Sequence, residues 1–169
     1  MPSKVDVIRK ILARLSVTHH KESRSWKLSK DGRDVDTECT KILFVDDEQT
    51  IADTLALIFS TRGYDTRVAY SAEEALELIT AWLPDLAILD VVLSKMPGTD
   101  LAVLLTQKVP NCQILLLSGQ VQTSDLLAET EKKGHTFALL AKPIHPTLLL
   151  SKALELLSGI KENHPEGQG

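Results

Sequence analysis

From Lys41 onward the chain alternates two periodicities, and that alternation restricts the fold more than any other feature. Short apolar or β-prone runs recur at residues 42–45, 66–70, 86–89, 113–117 and 137–141. They have the length and composition of buried strands. Between them the apolar residues fall three and four apart. Ile51, Leu55, Ile58 and Phe59 form one helical stripe, ended by Gly63. Ser71-Ala-Glu-Glu74 is a capping box, in which the Ser71 hydroxyl takes the Glu74 amide and the Glu74 carboxylate reaches back. The helix it opens carries Ala75, Leu76, Ile79 and Trp82, and Pro84 bars continuation. Leu101, Leu104 and Leu105 mark a third helix. Leu126, Leu127 and Ala128 mark a short fourth, ending near Gly134. Leu149, Leu150, Ala153, Leu156 and Leu157 mark a last one, with Pro146 in its first turn. Five strands alternating with helices predict an α/β fold, a parallel sheet covered on both faces.

Three of the runs end in charge. The first stops at Asp46-Asp47-Glu48, the third at Asp90 and the fifth at Lys142-Pro143. In open α/β sheets the carboxyl ends of the strands are where ligands bind. A lone Asp closing a strand is ordinarily a turn residue, and three acids before a helix suit the positive end of its dipole. Yet adjacent carboxylates repel and cost free energy near an apolar core unless compensated. A Lys ending an apolar strand is equally in need of partners, and the acids across the sheet edge are candidates.

These residues resemble the receiver domain of two-component response regulators. That family carries an acidic pair after its first strand, here Asp46 and Asp47, and a phospho-accepting Asp after the third, here Asp90. A Ser or Thr follows the fourth strand, here Ser118, and a Lys-Pro follows the fifth, here Lys142-Pro143. The resemblance covers roughly residues 40–161 and implies the flavodoxin-like (βα)5 doubly wound sheet with strand order 2-1-3-4-5. In that order the first and third strands are neighbours, so Asp46, Asp47 and Asp90 converge. Three carboxylates against one Lys call for a cation, and oxygen ligands with open positions suit Mg²⁺. The implied sphere is Asp47, Asp90 and the Val92 carbonyl, with Asp46 through water. Asp90 would then be the nucleophile that forms an aspartyl phosphate, with Lys142 and the Ser118 hydroxyl taking the remaining phosphoryl oxygens.

Two positions depart from the family pattern. Ser94 stands where Pro is usual four residues after the acceptor, although Gly98 matches. Leu139 stands where an aromatic switch is common, and Phe137 lies two residues earlier on the same strand face. Phe137 reads as a core residue before it reads as a replacement switch. His135 reads as a loop residue and His145 as a cap of the last helix.

Residues 1–39 lie outside the resemblance. Val5, Ile8, Ile11, Leu12 and Leu15 are spaced like one face of a short amphipathic helix, and the polar stretch from Ser16 reads as a linker. Residues 162–169 read as a polar tail. The net charge of −4 conceals an asymmetry: residues 1–39 hold nine Lys/Arg against six Asp/Glu, and residues 40–169 hold ten against seventeen. An acidic body argues against direct nucleic-acid binding. Cys39 and Cys112 have neither disulfide-framework nor metal-ligand spacing, and Cys112 reads as a buried apolar residue. There is no apolar stretch of about 20 residues for a membrane span and no signal-peptide pattern, so a cytoplasmic location is expected. The expectation is a stand-alone receiver, not a turnover enzyme. It would take phosphate from a histidine kinase or histidine phosphotransfer protein, lose it slowly by itself, and act through a downstream protein target. One alternative is a phosphorylation-independent adaptor, favoured by Ser94 and Leu139 and opposed by the complete acidic set. Another is an aspartyl-phosphate-type phosphatase, which would want a second Asp where this chain has Val92.

Overall fold

The computed structural model describes residues 39–119, 128, 130–132 and 134–161. The chain divides into two units, residues 1–39 and 40–169. The expected N-terminal helix and linker, Leu126, Leu127 and the tail from residue 162 lie outside the described residues.

The strands are β1 (Lys41–Val45), β2 (Asp65–Ala69), β3 (Leu86–Asp90), β4 (Gln113–Ser118) and β5 (Ala138–Ala141). They pair in parallel in one sheet of order β2-β1-β3-β4-β5. The helices are α1 (Gln49–Ser60), α2 (Ala72–Leu78), α3 (Gly98–Lys108) and the last helix α4 (Pro146–Lys161). Residues 128 and 130–132 are helical too, where the short fourth helix was expected. This is the flavodoxin-like, doubly wound sheet.

Successive strand residues point to opposite faces, so each apolar run supplies two cores. Leu43, Val45, Ala87, Leu89, Ile114 and Leu116 face Ala72 and Ala75 of α2 and Leu101 and Leu105 of α3. Ile42, Phe44, Leu86, Ile88, Leu115 and Leu117 face Ala56, Ile58 and Phe59 of α1 and Leu149 and Ala153 of α4. Continuous apolarity, instead of alternation, is therefore what the central strands needed. Burying a large apolar side chain stabilises by roughly 1.5–3 kcal/mol, and among the described residues twelve of the largest are fully enclosed. Among the described residues, no helix is long and apolar enough to cross a membrane.

Several element ends differ from the sequence expectation by a residue or more. Tyr70 follows β2 and Phe137 precedes β5. α2 ends at Leu78, so Ile79 is its C-cap and Trp82 lies just past the turn beyond it. Trp82 is buried all the same, because its indole N–H donates to Asp65 (3.0 Å) and Arg67 covers its ring (4.9 Å). Burial marked these residues, and helical spacing did not separate helix from turn. The capping box forms with one change of partner. Glu74 N–H donates to Ser71 Oγ (3.2 Å), but the Glu74 carboxylate accepts from the Tyr70 amide (2.7 Å) instead of that of Ser71. At α4, His145 is the cap expected. Its carbonyl accepts from Leu148 and Leu149, and its Nδ1 from the Thr147 amide at 3.4 Å.

Candidate functional site

The register of the sheet brings the charged strand ends together. Val45 pairs with Leu89, so Asp46 and Asp90 leave adjacent strands side by side. Leu117 pairs with Leu140 and Ser118 with Ala141, which puts Ser118 beside the chain leading into Lys142. The Lys142 amide donates to the Ser118 carbonyl (2.6 Å), Val91 N–H to Leu117 O (2.9 Å) and Asp46 N–H to Ala69 O (3.3 Å). The backbone ladder thus runs past the strand ends and fixes the base of each functional side chain.

Lys142 Nζ donates to Asp46 Oδ2 (2.8 Å) and to Asp90 Oδ2 (3.0 Å). Asp46 Oδ1 accepts from Glu48 N–H (2.9 Å), and Asp90 Oδ1 from Val92 N–H (3.2 Å). Carboxylate oxygens of Asp46, Asp47 and Asp90 lie within 4.8 Å of one another. Asp46 is only 4% exposed, whereas Asp47 faces solvent. Burial lowers the pKa of Lys142, but its bonds to Asp46 and Asp90 and their charges outweigh that and leave it raised above the usual value. Lys142 is therefore the cation that bridges two strand-end acids, but one ammonium against three carboxylates leaves two negative charges of the cluster uncompensated. An all-carboxylate set of this kind suits a hard divalent cation such as Mg²⁺ and not a soft metal.

The loop after Asp90 alternates. Val91 and Leu93 are buried in the core, while Val92 (45% exposed) and Ser94 face outward. The Gly98 amide donates to Val91 O at 2.8 Å. A Cβ on Gly98 would overlap the Asp90 carbonyl oxygen. The loop with Ser94 in place of the family's Pro is thus held by two buried side chains and by glycine packed on the Asp90 backbone.

Phe137 packs against the core on the α2 and α3 face and stacks on His135, which lies in the loop as expected (ring centroids 5.9 Å apart). That is the packing of a core residue. Leu139, at the position where the family often has its switch, is 36% exposed. Cys112 is buried, and burial pushes its thiol up to about 12. Sequence reasoning did not single out Tyr70, whose hydroxyl donates to Asp53 Oδ1 of α1 (2.8 Å). The partners are seventeen residues apart on different elements, and no local pattern connects them.

Removing Lys142 gives a direct check on the charge balance. Lys142→Ala leaves Asp46 and Asp90 to repel in a mostly buried setting. Losing one partner of a fully buried pair costs about 3–5 kcal/mol, and the part-exposed Lys142 should cost about 2–3 kcal/mol. Thermal melts should show the variant well below wild type in chelator, with Mg²⁺ raising it more than it raises wild type. Equal melting in chelator would show that the ion pairs contribute nothing.

The model of the response regulator receiver domain matches residues 42–154. The DNA-binding response regulator MtrA of Mycolicibacterium smegmatis is 29% identical over 118 residues, covering 70% of this chain and 50% of that protein. The alkaline phosphatase synthesis transcriptional regulatory protein PhoP of Bacillus subtilis is 31% identical over 137 residues, covering 76% and 56%. The chain thus spans about half the length of these relatives. Among solved structures, a CheY-like receiver domain protein from Methanospirillum hungatei superposes with a TM-score of 0.67 at 27% identity, covering 75% of this chain and 99% of that one.

Proposed function

This chain belongs to the response regulator receiver family, and on that premise we propose that it accepts a phosphoryl group on Asp90 from a histidine kinase or histidine phosphotransfer protein and signals through protein–protein contact. The observation that carries the reading is the Lys142 amine bridging Asp46 and Asp90, with Asp47 in the same oxygen cluster. It joins a nucleophile, a cation for its product and an acidic cluster suited to a metal, all at the carboxyl edge of the sheet.

In the proposed transfer an Asp90 carboxylate oxygen attacks phosphorus in line. The bond from phosphorus to the donor's imidazole nitrogen breaks, and the imidazole leaves with that electron pair. Asp47 and Asp90, with the Val92 carbonyl and with Asp46 through water, would hold Mg²⁺. When bound, Mg²⁺ supplies positive charge that lets an anionic carboxylate meet an anionic phosphoryl group. Lys142 holds the Asp90 carboxylate in place and can pass to the phosphoryl oxygens once the anhydride forms. Ser118, buried at the end of β4, would offer its hydroxyl to another of those oxygens. Nothing in this chemistry requires turnover; the phosphorylated chain is itself the product. A cytoplasmic setting follows from such donors.

Acetyl phosphate with Mg²⁺ tests the reading. Intact-mass measurement should find one phosphoryl adduct, and excess chelator should abolish it. Full labelling in chelator would sink the metal role, and no labelling under any condition would favour a phosphorylation-independent adaptor. The same assay addresses domain organisation. A chain starting at Asp36 is expected to melt cooperatively and to be labelled like the full chain, because the receiver pattern begins at residue 40. An insoluble or unlabelled truncation would make residues 1–35 part of the working unit.

A further inference from the structure

The acidic pair is held unequally. Asp46 is fixed by Lys142, by the Glu48 amide and by its own amide on Ala69 O. Among the described residues, no hydrogen bond or ion pair holds the Asp47 carboxylate. Its position is set by its backbone alone, between Asp46 and the first turn of α1. That turn begins at Gln49, and Glu48, its N-cap, makes no side-chain capping bond.

Tyr70 reaches α1 just beyond this turn, at Asp53. It follows Ala69, the residue whose carbonyl receives the Asp46 amide. Its own amide donates to Glu74 Oε2 of α2 (2.7 Å), and its hydroxyl to Asp53 Oδ1 of α1 (2.8 Å). The bond to Asp53, followed by burial and the Asp53 and Glu74 charges, holds the phenol above its usual pKa, so it remains a donor at neutral pH. Tyr70 therefore ties α1, one turn past its start, to the end of β2 and the cap of α2, with the Asp46–Asp47 backbone between the tied points.

We infer that Tyr70 is a positioning residue for the acidic pair: its hydrogen bond to Asp53, one turn into α1, anchors the helix and through its first turn the place of the Asp47 carboxylate in the cation site. This rests on the proposed role of Asp47 in holding the metal. The net gain from one hydrogen bond corresponds to roughly a three- to tenfold change in affinity.

The experiment is Mg²⁺ titration of the full chain by calorimetry, beside melting in chelator. Tyr70→Phe should bind Mg²⁺ about three- to tenfold more weakly with its metal-free melting point close to wild type. Asp53→Asn and Asp53→Ala both lose the charge, but only Asn keeps an acceptor oxygen. Asp53→Asn should therefore bind more tightly than Asp53→Ala, and the difference should vanish when each is combined with Tyr70→Phe. Equal affinity of Asn and Ala, or an unchanged Tyr70→Phe, overturns the inference. A wild-type chain that binds no Mg²⁺ overturns the metal reading itself, and the inference with it.

Discussion

Asp90→Asn is expected to end phosphoryl uptake completely while leaving the protein folded. The amide nearly matches the carboxylate in size and shape, and its carbonyl oxygen can still accept a bond from Val92 N–H or from Lys142. What it loses is the anionic oxygen, and a neutral amide is a very poor nucleophile toward phosphorus. The substitution also removes one of three clustered negative charges, which offsets part of the lost attraction to Lys142. Melting should therefore stay within a few degrees of wild type, on the order of 1 kcal/mol in a domain of this size. Intact mass after acetyl phosphate and Mg²⁺ should show no adduct. An adduct equal to wild type would move the acceptor elsewhere, with Asp46 and Asp47 the next carboxylates to test.

Gly98→Ala is expected to be the most damaging glycine-to-alanine change among the described residues. The added carbon would overlap the Asp90 carbonyl oxygen and crowd the Asp90 carbonyl carbon and Val91 Cα. All three are backbone atoms at the end of a buried strand, so no side chain can rotate away. Overpacking typically costs about 1–3 kcal/mol, and a backbone obstacle places this case at the upper end or beyond. Relief requires the 91–98 loop to move, which shifts Asp90 relative to Lys142. Urea unfolding should show the loss of stability, and acetyl phosphate labelling should fall with it. Gly159→Ala is the control. Its Cβ would meet nothing within 4 Å, inside helix α4. There Ala should stabilise by roughly 0.5–1 kcal/mol. If the two variants behave alike, the close approach at Gly98 does not constrain the loop.

Much of the fold was legible because the apolar runs carry it. The central strands β1, β3 and β4 are buried at all but one end residue each, in the middle of the sheet, so their composition had to be almost wholly apolar and could be recognised without neighbours. The site was legible for the opposite reason. Charged residues that end such runs have to be compensated, and Asp46, Asp90 and Lys142 do pair. Element ends were less readable. Trp82 and Ile79 looked helical because burial and helical spacing coincide there, although α2 had already stopped at Leu78.

The sequence by itself determined the alternation of strands and helices, the apolar content of each strand and the chemical types at the sheet edge. These depend on each residue's own solvation and on spacing along the chain, both of which are local. Only the tertiary structure decided which oxygen of which carboxylate meets Lys142, because Asp46 and Lys142 are 96 residues apart and meet through strand register. It alone showed that Gly98 lies against the Asp90 backbone and that Tyr70 ties α1 to β2. Those contacts depend on distances of a few tenths of an ångström between distant segments, which are set by how the two cores pack and leave no periodic trace in the chain.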